Sequence, residues 1–68
     1  MDLIKIGKYI AEKRKALGLT QKQLAEKLNM SDKSVSKWER DICLPDVSIY
    51  MELCSILRIS INEFLAGE

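Results

Sequence analysis

TQKQLAEKLNMSDKSVSKWER, residues 20–40, contains the signals for two short helices joined by a tight turn. Thr20 and Gln23 are predicted to form a capping box, in which the threonine oxygen accepts from a first-turn amide and the glutamine reaches back to the cap. A helix is therefore predicted to begin at Gln21. Its apolar residues recur at helical spacing, and the alanine among them removes bulk where a second helix crosses: Leu24, Ala25 and Leu28.

The second helix of this stretch has equally clear signals. Asn29 is predicted to end the preceding helix, because asparagine takes the left-handed conformation more readily than most residues other than glycine. Ser31 suits the N-cap of the next helix, and Asp32 suits its positive N-terminal end. Val35 and Trp38, three residues apart, form an inward-facing stripe. Two helices joined by so short a turn must cross steeply.

Three further helices are predicted outside this stretch, and no strand. The first spans roughly Ile4 to Leu17, with Ile6, Ile10 and Leu17 on its buried face and Gly18 placed to end it. After Pro45, Asp46 is predicted to cap a fourth helix. The apolar surface of that helix is predicted to comprise Val47, Ile49, Tyr50, Leu53, Cys54 and Leu57. A second capping box, Ser60 with Glu63, opens a short fifth helix that contains Ile61, Phe64 and Leu65.

The composition predicts one domain, residues 1–68, with little room for an extended cleft. A folded chain of 68 residues buries only about 60% of the surface that its unfolded form exposes. Charged residues make up 31% of the chain, and Asp2 interrupts any apolar run at the N-terminus, so neither a membrane span nor a signal peptide is expected. Cys43 and Cys54 are therefore expected to be reduced thiols, and their spacing does not suit a metal site. We expect a cytoplasmic protein without a cofactor.

The low net charge of +1 conceals a strong polarity along the chain. From Lys5 to Arg40, ten basic residues stand against four acidic ones, whereas residues 41–68 hold one basic residue, Arg58, against five acidic ones. A basic half that carries the crossed helices is expected to face phosphate groups. The alternative is that the lysines only solvate helix surfaces.

These features resemble the helix-turn-helix of the phage-repressor family, also called Cro/C1-type or XRE-type. The resemblance runs from Ile6 to Leu65 and is carried by the following positions: Arg14 before LGLTQ, Gln21, Ala25, Val35, Trp38-Glu39, Pro45 and the closing SINEFL. It implies a compact, all-α, five-helix domain with the helix-turn-helix at residues 21–40. It also implies sequence-specific binding of double-stranded DNA as a transcriptional regulator, with repression as the favoured outcome. It does not imply an enzyme.

Four residues of the third helix are predicted to contact bases because they do not face inward: Asp32, Lys33, Ser36 and Lys37. Asp32 and Lys33 also lie at the N-terminal end that such a helix inserts into the major groove. Lysine can donate to guanine and aspartate can accept from cytosine, so a half-site containing G·C pairs is expected. The alternative for both lysines is phosphate contact or solvation. For Asp32 the alternative is stabilisation of the helix dipole, and Ser36 is the weaker candidate.

Predicted phosphate contacts lie near the same surface and comprise Gln21, Lys22, Ser31, Ser34 and Arg40. Gln21 ranks first, since it opens the second helix and the family resemblance gives this position a recurrent backbone contact. Capping or solvation is the alternative for the others.

One departure from the family concerns the end of the third helix, where Arg40-Asp41 replaces the usual Asn-Gly or Arg-Gly. The added negative charge there disfavours a phosphate contact from this loop.

The resemblance pairs Arg14 with Glu39 in a partly buried structural ion pair, which would fix the angle of the third helix.

The resemblance also implies a homodimer on an inverted-repeat operator, with half-sites about 34 Å apart. Candidate dimer contacts are Ile49, Met51, Ile61 and Leu65, unless they complete the core, which is the favoured reading for Leu65. The chain is also compatible with being the N-terminal part of a longer regulator.

No histidine, phosphate-binding glycine loop or paired-carboxylate site points to an enzyme. The competing hypothesis is a protein-interaction module, antitoxin-like or polymerase-contacting, whose basic face is incidental. Retention of partner binding after loss of Lys33 and Lys37 would indicate such a module.

Overall fold

A computed structural model describes residues 2–68. It contains five α-helices and one 3-10 turn: α1 (Leu3–Ala16), α2 (Gln21–Lys27), α3 (Asp32–Glu39), the 3-10 turn (Val47–Ile49), α4 (Tyr50–Leu57) and α5 (Ile61–Ala66). The predicted all-α, five-helix fold is confirmed, and α2 begins at Gln21 as expected. The first helix begins at Leu3, one residue before its predicted start.

Side-chain caps determine where four of the five helices begin. The Asp2 carboxylate accepts from the backbone N–H groups of Ile4 and Lys5, and Ser31 caps α3. Both predicted capping boxes form: Thr20 accepts from the N–H of Gln23 at 3.0 Å, and the corresponding hydroxyl of Ser60 caps α5. Local sequence chemistry therefore accounts for these helix starts.

Each helix is followed by a residue in the left-handed conformation, namely Gly18, Asn29, Asp41, Arg58 and Gly67. After α1, the N–H of Leu19 donates to the carbonyl of Arg14 at 3.0 Å, which closes a Schellman motif and satisfies carbonyl groups at the helix end. The predicted left-handed Asn29 is confirmed. The left-handed backbone at Asp41 and Arg58 is less usual, since glycine adopts it without steric cost.

One apolar core holds the helices together. Its buried members come from every helix: Ile6, Ile10, Leu24, Ala25, Leu28, Val35, Trp38, Leu53, Cys54, Leu57 and Phe64. The inward orientation predicted for Val35 and Trp38 is confirmed. Helix α3 packs against both α2 and α1, while α5 packs against α1 and α4. Helix α3 therefore rests on two helices across its inner face.

Three expectations for the C-terminal half are wrong: the helix cap at Asp46, the inward-facing Val47 and the core position of Leu65. Asp46 accepts from the N–H of Ser48 and so caps the 3-10 turn, whereas α4 begins later, at Tyr50, without a side-chain cap. The 3-10 turn breaks the α-helical periodicity, and Val47 is therefore 74% exposed instead of joining the apolar surface. Leu65 is also 37% exposed, because the short helix α5 turns Phe64 toward the core.

No helix within residues 2–68 is long and apolar enough to cross a membrane. Both cysteines are free thiols, Cys43 at the surface and Cys54 in the core, where burial raises the pKa of its thiol. The described residues bring together no group of side chains suited to hold a metal ion.

Candidate nucleic-acid interface

The position of α3 depends on a close approach to α1 at Gly7. A Cβ atom added at Gly7 would overlap the carbonyl oxygen of Trp38 and lie 2.7 Å from Oδ1 of Asp41. Glycine is therefore required here by the closeness of two backbones rather than by a special backbone angle. The sequence analysis did not identify this contact; its only signal was a glycine in the interior of a predicted helix.

A buried ion pair ties the end of α3 to α1. Nε of Arg14 donates to Oε2 of Glu39 at 2.7 Å, and Nη2 of Arg14 donates to Oε1 of Glu39 at 2.9 Å. The two side chains are only 10% and 7% exposed. Nη1 of Arg14 also donates to the carbonyl of Leu19 at 2.8 Å, so one guanidinium joins α3 to the link before α2. The hydrogen bond to Glu39 raises the pKa of Arg14.

Gln21 extends this network toward the surface. Its Nε2 donates to Oε1 of Glu39 at 3.0 Å, and the residue is half-buried at the start of α2. One amide hydrogen is thereby used inside the protein, which orients the side chain and leaves its second hydrogen as a donor. The three groups, Arg14, Glu39 and Gln21, link the crossing angle of the helices to the position of a predicted phosphate contact.

The outer face of α3 is polar and basic. Asp32, Lys33 and Lys37 are exposed, while Ser36 is half-buried. Lys33 and Lys37 are four residues apart and so project from adjacent turns on one stripe of the helix. Neither lysine forms an ion pair with any residue from 2 to 68. Their charges are therefore available to an external partner.

The predicted phosphate contacts surround this stripe but differ in their present roles. Lys22 and Arg40 are exposed, and Ser34 is half-buried. The hydroxyl oxygen of Ser31 accepts from the N–H of Lys33 at 3.1 Å, so it already serves as the N-cap of α3. Capping, which was the alternative role for Ser31, thus occurs in the folded chain. The hydroxyl hydrogen of Ser31 is still able to donate to a phosphate.

Asp41, directly after the cap of α3, is a further residue of interest. Its φ is +62°, and its Oδ1 is buried without a hydrogen-bond partner among the residues described. An unpaired buried carboxylate oxygen is energetically unfavourable. The sequence signal for this site was the replacement of the usual glycine by aspartate.

Comparison with known proteins identifies relatives of this arrangement. A helix-turn-helix family model matches residues 10–64. The chain is 36% identical over 63 residues to the HTH-type transcriptional regulator ImmR of Bacillus subtilis, covering 93% of this chain and 49% of ImmR. It is 35% identical over 60 residues to the cryptic phage CTXphi transcriptional repressor RstR of Vibrio cholerae, covering 88% of this chain and 54% of RstR.

A third relative is the HTH-type transcriptional activator BcrR of Enterococcus faecalis, which is 31% identical over 65 residues; the match covers 96% of this chain and 32% of BcrR. The chain thus spans between about a third and about half of the length of these relatives. The match to the family model includes all of α2, α3 and α4. The chain belongs to the Cro/C1-type (XRE) helix-turn-helix family.

Proposed function

We propose that this chain binds double-stranded DNA in a sequence-specific manner as a transcriptional regulator, with α3 in the major groove. The observation that carries the proposal is the exposed, unpaired basic stripe of Lys33 and Lys37 on a helix whose opposite face is buried. Such a helix is held rigidly while its outer side chains can reach base edges. The family is one of regulators and not of enzymes.

Four side chains are proposed to read the bases, Asp32, Lys33, Ser36 and Lys37. The exposed lysines supply donors for guanine, and Asp32 supplies an acceptor for cytosine at the N-terminal end of the helix. Gln21, Lys22, Ser31, Ser34 and Arg40 are proposed to contact phosphates. Gln21 remains the first candidate, because its hydrogen bond to Glu39 holds the side chain in one orientation.

A homodimer on an inverted repeat is part of the proposal. Met51 is 75% exposed and Leu65 is also exposed, while Ile49 and Ile61 are half-buried. Exposed apolar side chains of this kind are suited to a two-fold contact. We propose repression as the outcome, since occupying an operator requires only the DNA-binding surface. The relatives include both a repressor and an activator. The predicted cytoplasmic location agrees with a DNA partner and stays a prediction.

Selection of bound duplexes from a random DNA library tests the proposal directly. An enriched inverted repeat is the expected result, and its half-site spacing would report the dimer geometry. A single enriched half-site would retain DNA reading but overturn the dimer. The absence of any enriched sequence would favour the competing interaction module, to which the exposed apolar residues Val47 and Met51 would then belong.

The roles of the basic residues are separable by comparing two exposed lysines. Lys33→Ala is expected to change discrimination by about 1–3 kcal/mol at one base pair, whereas Lys22→Ala should weaken binding equally on all sequences. Lys22→Ala should also reduce the dependence of log affinity on log salt concentration by about one counterion. Fluorescence anisotropy on the selected duplex and its single-base variants measures both effects. Uniform loss from Lys33→Ala would reassign that lysine to the DNA backbone.

A further inference from the structure

A groove lies on the side of the molecule between the α1–α2 link, the end of α2 and α4. Its volume is about 330 Å³, and we call it the α2–α4 groove. Its lining residues are Leu17, Leu19, Lys27, Ser55, Ile56 and Arg58. A second depression continues from it along α2 and shares Leu19 and Lys27. The two together form an elongated concave surface.

The chemistry of the α2–α4 groove combines apolar and cationic side chains. The half-buried Leu17, Leu19 and Ile56 supply apolar surface, and the exposed Lys27 and Arg58 supply two positive charges. No carboxylate lines the groove itself, although Glu26 lines the adjoining depression. Neither cation forms an ion pair with any of residues 2–68. The groove is therefore complementary to a ligand that carries both apolar and acidic groups.

Arg58 is unusual in two respects. It is the only basic residue in the acidic stretch from 41 to 68. Its backbone is left-handed, with φ of +59°, a conformation that favours glycine or asparagine at the end of a helix. The fold itself would thus be served better by another residue, and no hydrogen bond of the guanidinium within residues 2–68 explains its presence.

The α2–α4 groove faces away from the proposed DNA contacts on α2. At about 100° per residue, Lys22 and Lys27 lie about 140° apart around this helix. The buried residues Leu24, Ala25 and Leu28 separate their two flanks. Lys22 is on the flank proposed to face DNA, so a ligand at Lys27 does not compete with DNA for the same flank.

We propose that the α2–α4 groove is a docking site for a short acidic and apolar peptide segment of a partner protein. One apolar side chain of the segment packs against Leu17, Leu19 and Ile56, while carboxylates pair with Lys27 and Arg58. The occupant is a protein segment because a phosphate backbone offers no side chain for the apolar lining. This site adds a second partner to the proposed DNA-binding function and does not depend on it.

The test is an NMR titration of the isotope-labelled chain with a capped peptide of alternating leucine and aspartate. We expect amide shifts concentrated at the residues lining the groove and not at Lys33 or Lys37. Lys27→Gln and Arg58→Gly should each weaken the peptide about two- to five-fold, the range of an exposed ion pair. Arg58→Gly relieves the left-handed backbone, so it should not unfold the chain, and circular dichroism checks this.

Two controls make the result decisive. Lys8→Gln removes an exposed lysine outside the groove and should leave peptide affinity unchanged. The same peptide with asparagine in place of aspartate should bind more weakly. Equal effects of Lys8→Gln and Lys27→Gln, equal binding of the two peptides, or no saturable shift at the groove would each overturn the proposal. Shifts at the groove caused by duplex DNA would also overturn it, because they would assign these cations to phosphates.

Discussion

The three N-terminal helices and the two C-terminal helices are held in place by different forces. Among α1, α2 and α3, a hydrogen-bonded network of Arg14, Glu39 and Gln21 supplements apolar packing. Helices α4 and α5 join the same core mainly through apolar contacts, including an edge-to-face pair of Tyr50 and Phe64 with ring centroids 4.9 Å apart. A single side-chain hydrogen bond, from the Tyr9 hydroxyl to Oε2 of Glu63 at 3.3 Å, links α5 to α1. Within residues 2–68, the one ion pair lies in the N-terminal region.

The two regions differ in how precisely their contacts fix the position of a helix. Apolar contacts are non-directional and tolerate small sliding movements, whereas a bidentate pair fixes both distance and angle. The region with the ion pair carries the proposed DNA-reading helix, and the region without an ion pair packs against α1. The predictions below test this contrast, beginning with the largest expected effect.

Glu39→Ala is expected to lower the free energy of unfolding by about 3 kcal/mol, because it leaves the buried Arg14 charge without its partner. The value lies at the lower end for buried pairs, since both side chains keep slight exposure. Urea unfolding followed by circular dichroism measures the change.

The double variant Arg14→Met/Glu39→Leu provides the control for orientation. Replacing both charges by apolar groups should restore most of the lost stability, since no unpaired charge remains. DNA affinity should stay reduced if the pair fixes the angle of α3. Full recovery of both quantities would show that the N-terminal region needs only apolar packing, as the C-terminal region does.

Gly7→Ala is expected to lower the free energy of unfolding by about 1–3 kcal/mol, because the new methyl group overlaps atoms at the end of α3. Gly18→Ala is the matched control: its φ of +73° is strained for alanine, but no atom lies within 4 Å of the added Cβ. Both variants should be destabilised, yet only Gly7→Ala should also weaken DNA binding. Equal DNA affinity of the two variants would contradict the positioning role of Gly7.

Asp41→Gly is expected to raise the free energy of unfolding by about 1 kcal/mol. It removes a buried oxygen without a partner and a left-handed non-glycine residue, and the greater freedom of glycine in the unfolded chain offsets part of this gain. Asp41→Gly also removes Oδ1, one of the two atoms that the new methyl group of Gly7→Ala would overlap. The stability changes of the two substitutions should therefore not add in the double variant. Thermal unfolding of the single and double variants provides the comparison, and strict additivity would argue against direct contact.

The two capping boxes are expected to respond differently to acid, and this is the smallest effect. The backbone N–H of Ser60 is the main cause of the lowered pKa of Glu63, whereas the equivalent Gln23 has no charge. A carboxylate with a lowered folded pKa stabilises the protein above its unfolded pKa of about 4.3, and this contribution is lost as pH falls through the folded pKa.

Glu63→Gln keeps a side-chain acceptor in the second box and removes its charge. Stability curves between neutral and acid pH should then diverge from those of the parent chain, with the parent losing more stability on acidification. Gln23→Glu should introduce the same acid sensitivity at the start of α2. Parallel curves for Glu63→Gln and the parent would show that the Glu63 charge contributes nothing.

The local signals in the sequence predicted most of the fold but failed at the entry to α4. Thr20, Ser31 and Ser60 each placed a helix start, because capping involves residues within one turn. Asp46 gave a genuine capping signal, but it opened a 3-10 turn instead of the helix. Whether a 3-10 turn or an α-helix forms after Asp46 depends on how the following residues pack on the core. That packing involves residues that are distant in sequence.

The sequence alone therefore determined the helix count, the inward stripe of Val35 and Trp38, and the outer residues proposed to meet DNA. Tertiary structure decided the rest: the clearance at Gly7, the unpaired oxygen of Asp41, the Gln21–Glu39 bond and the groove beside Lys27 and Arg58. Helical periodicity and capping act over a few neighbouring residues, so a pattern reveals them. Close contacts between distant segments depend on how the helices cross, and only the folded chain brings those residues together.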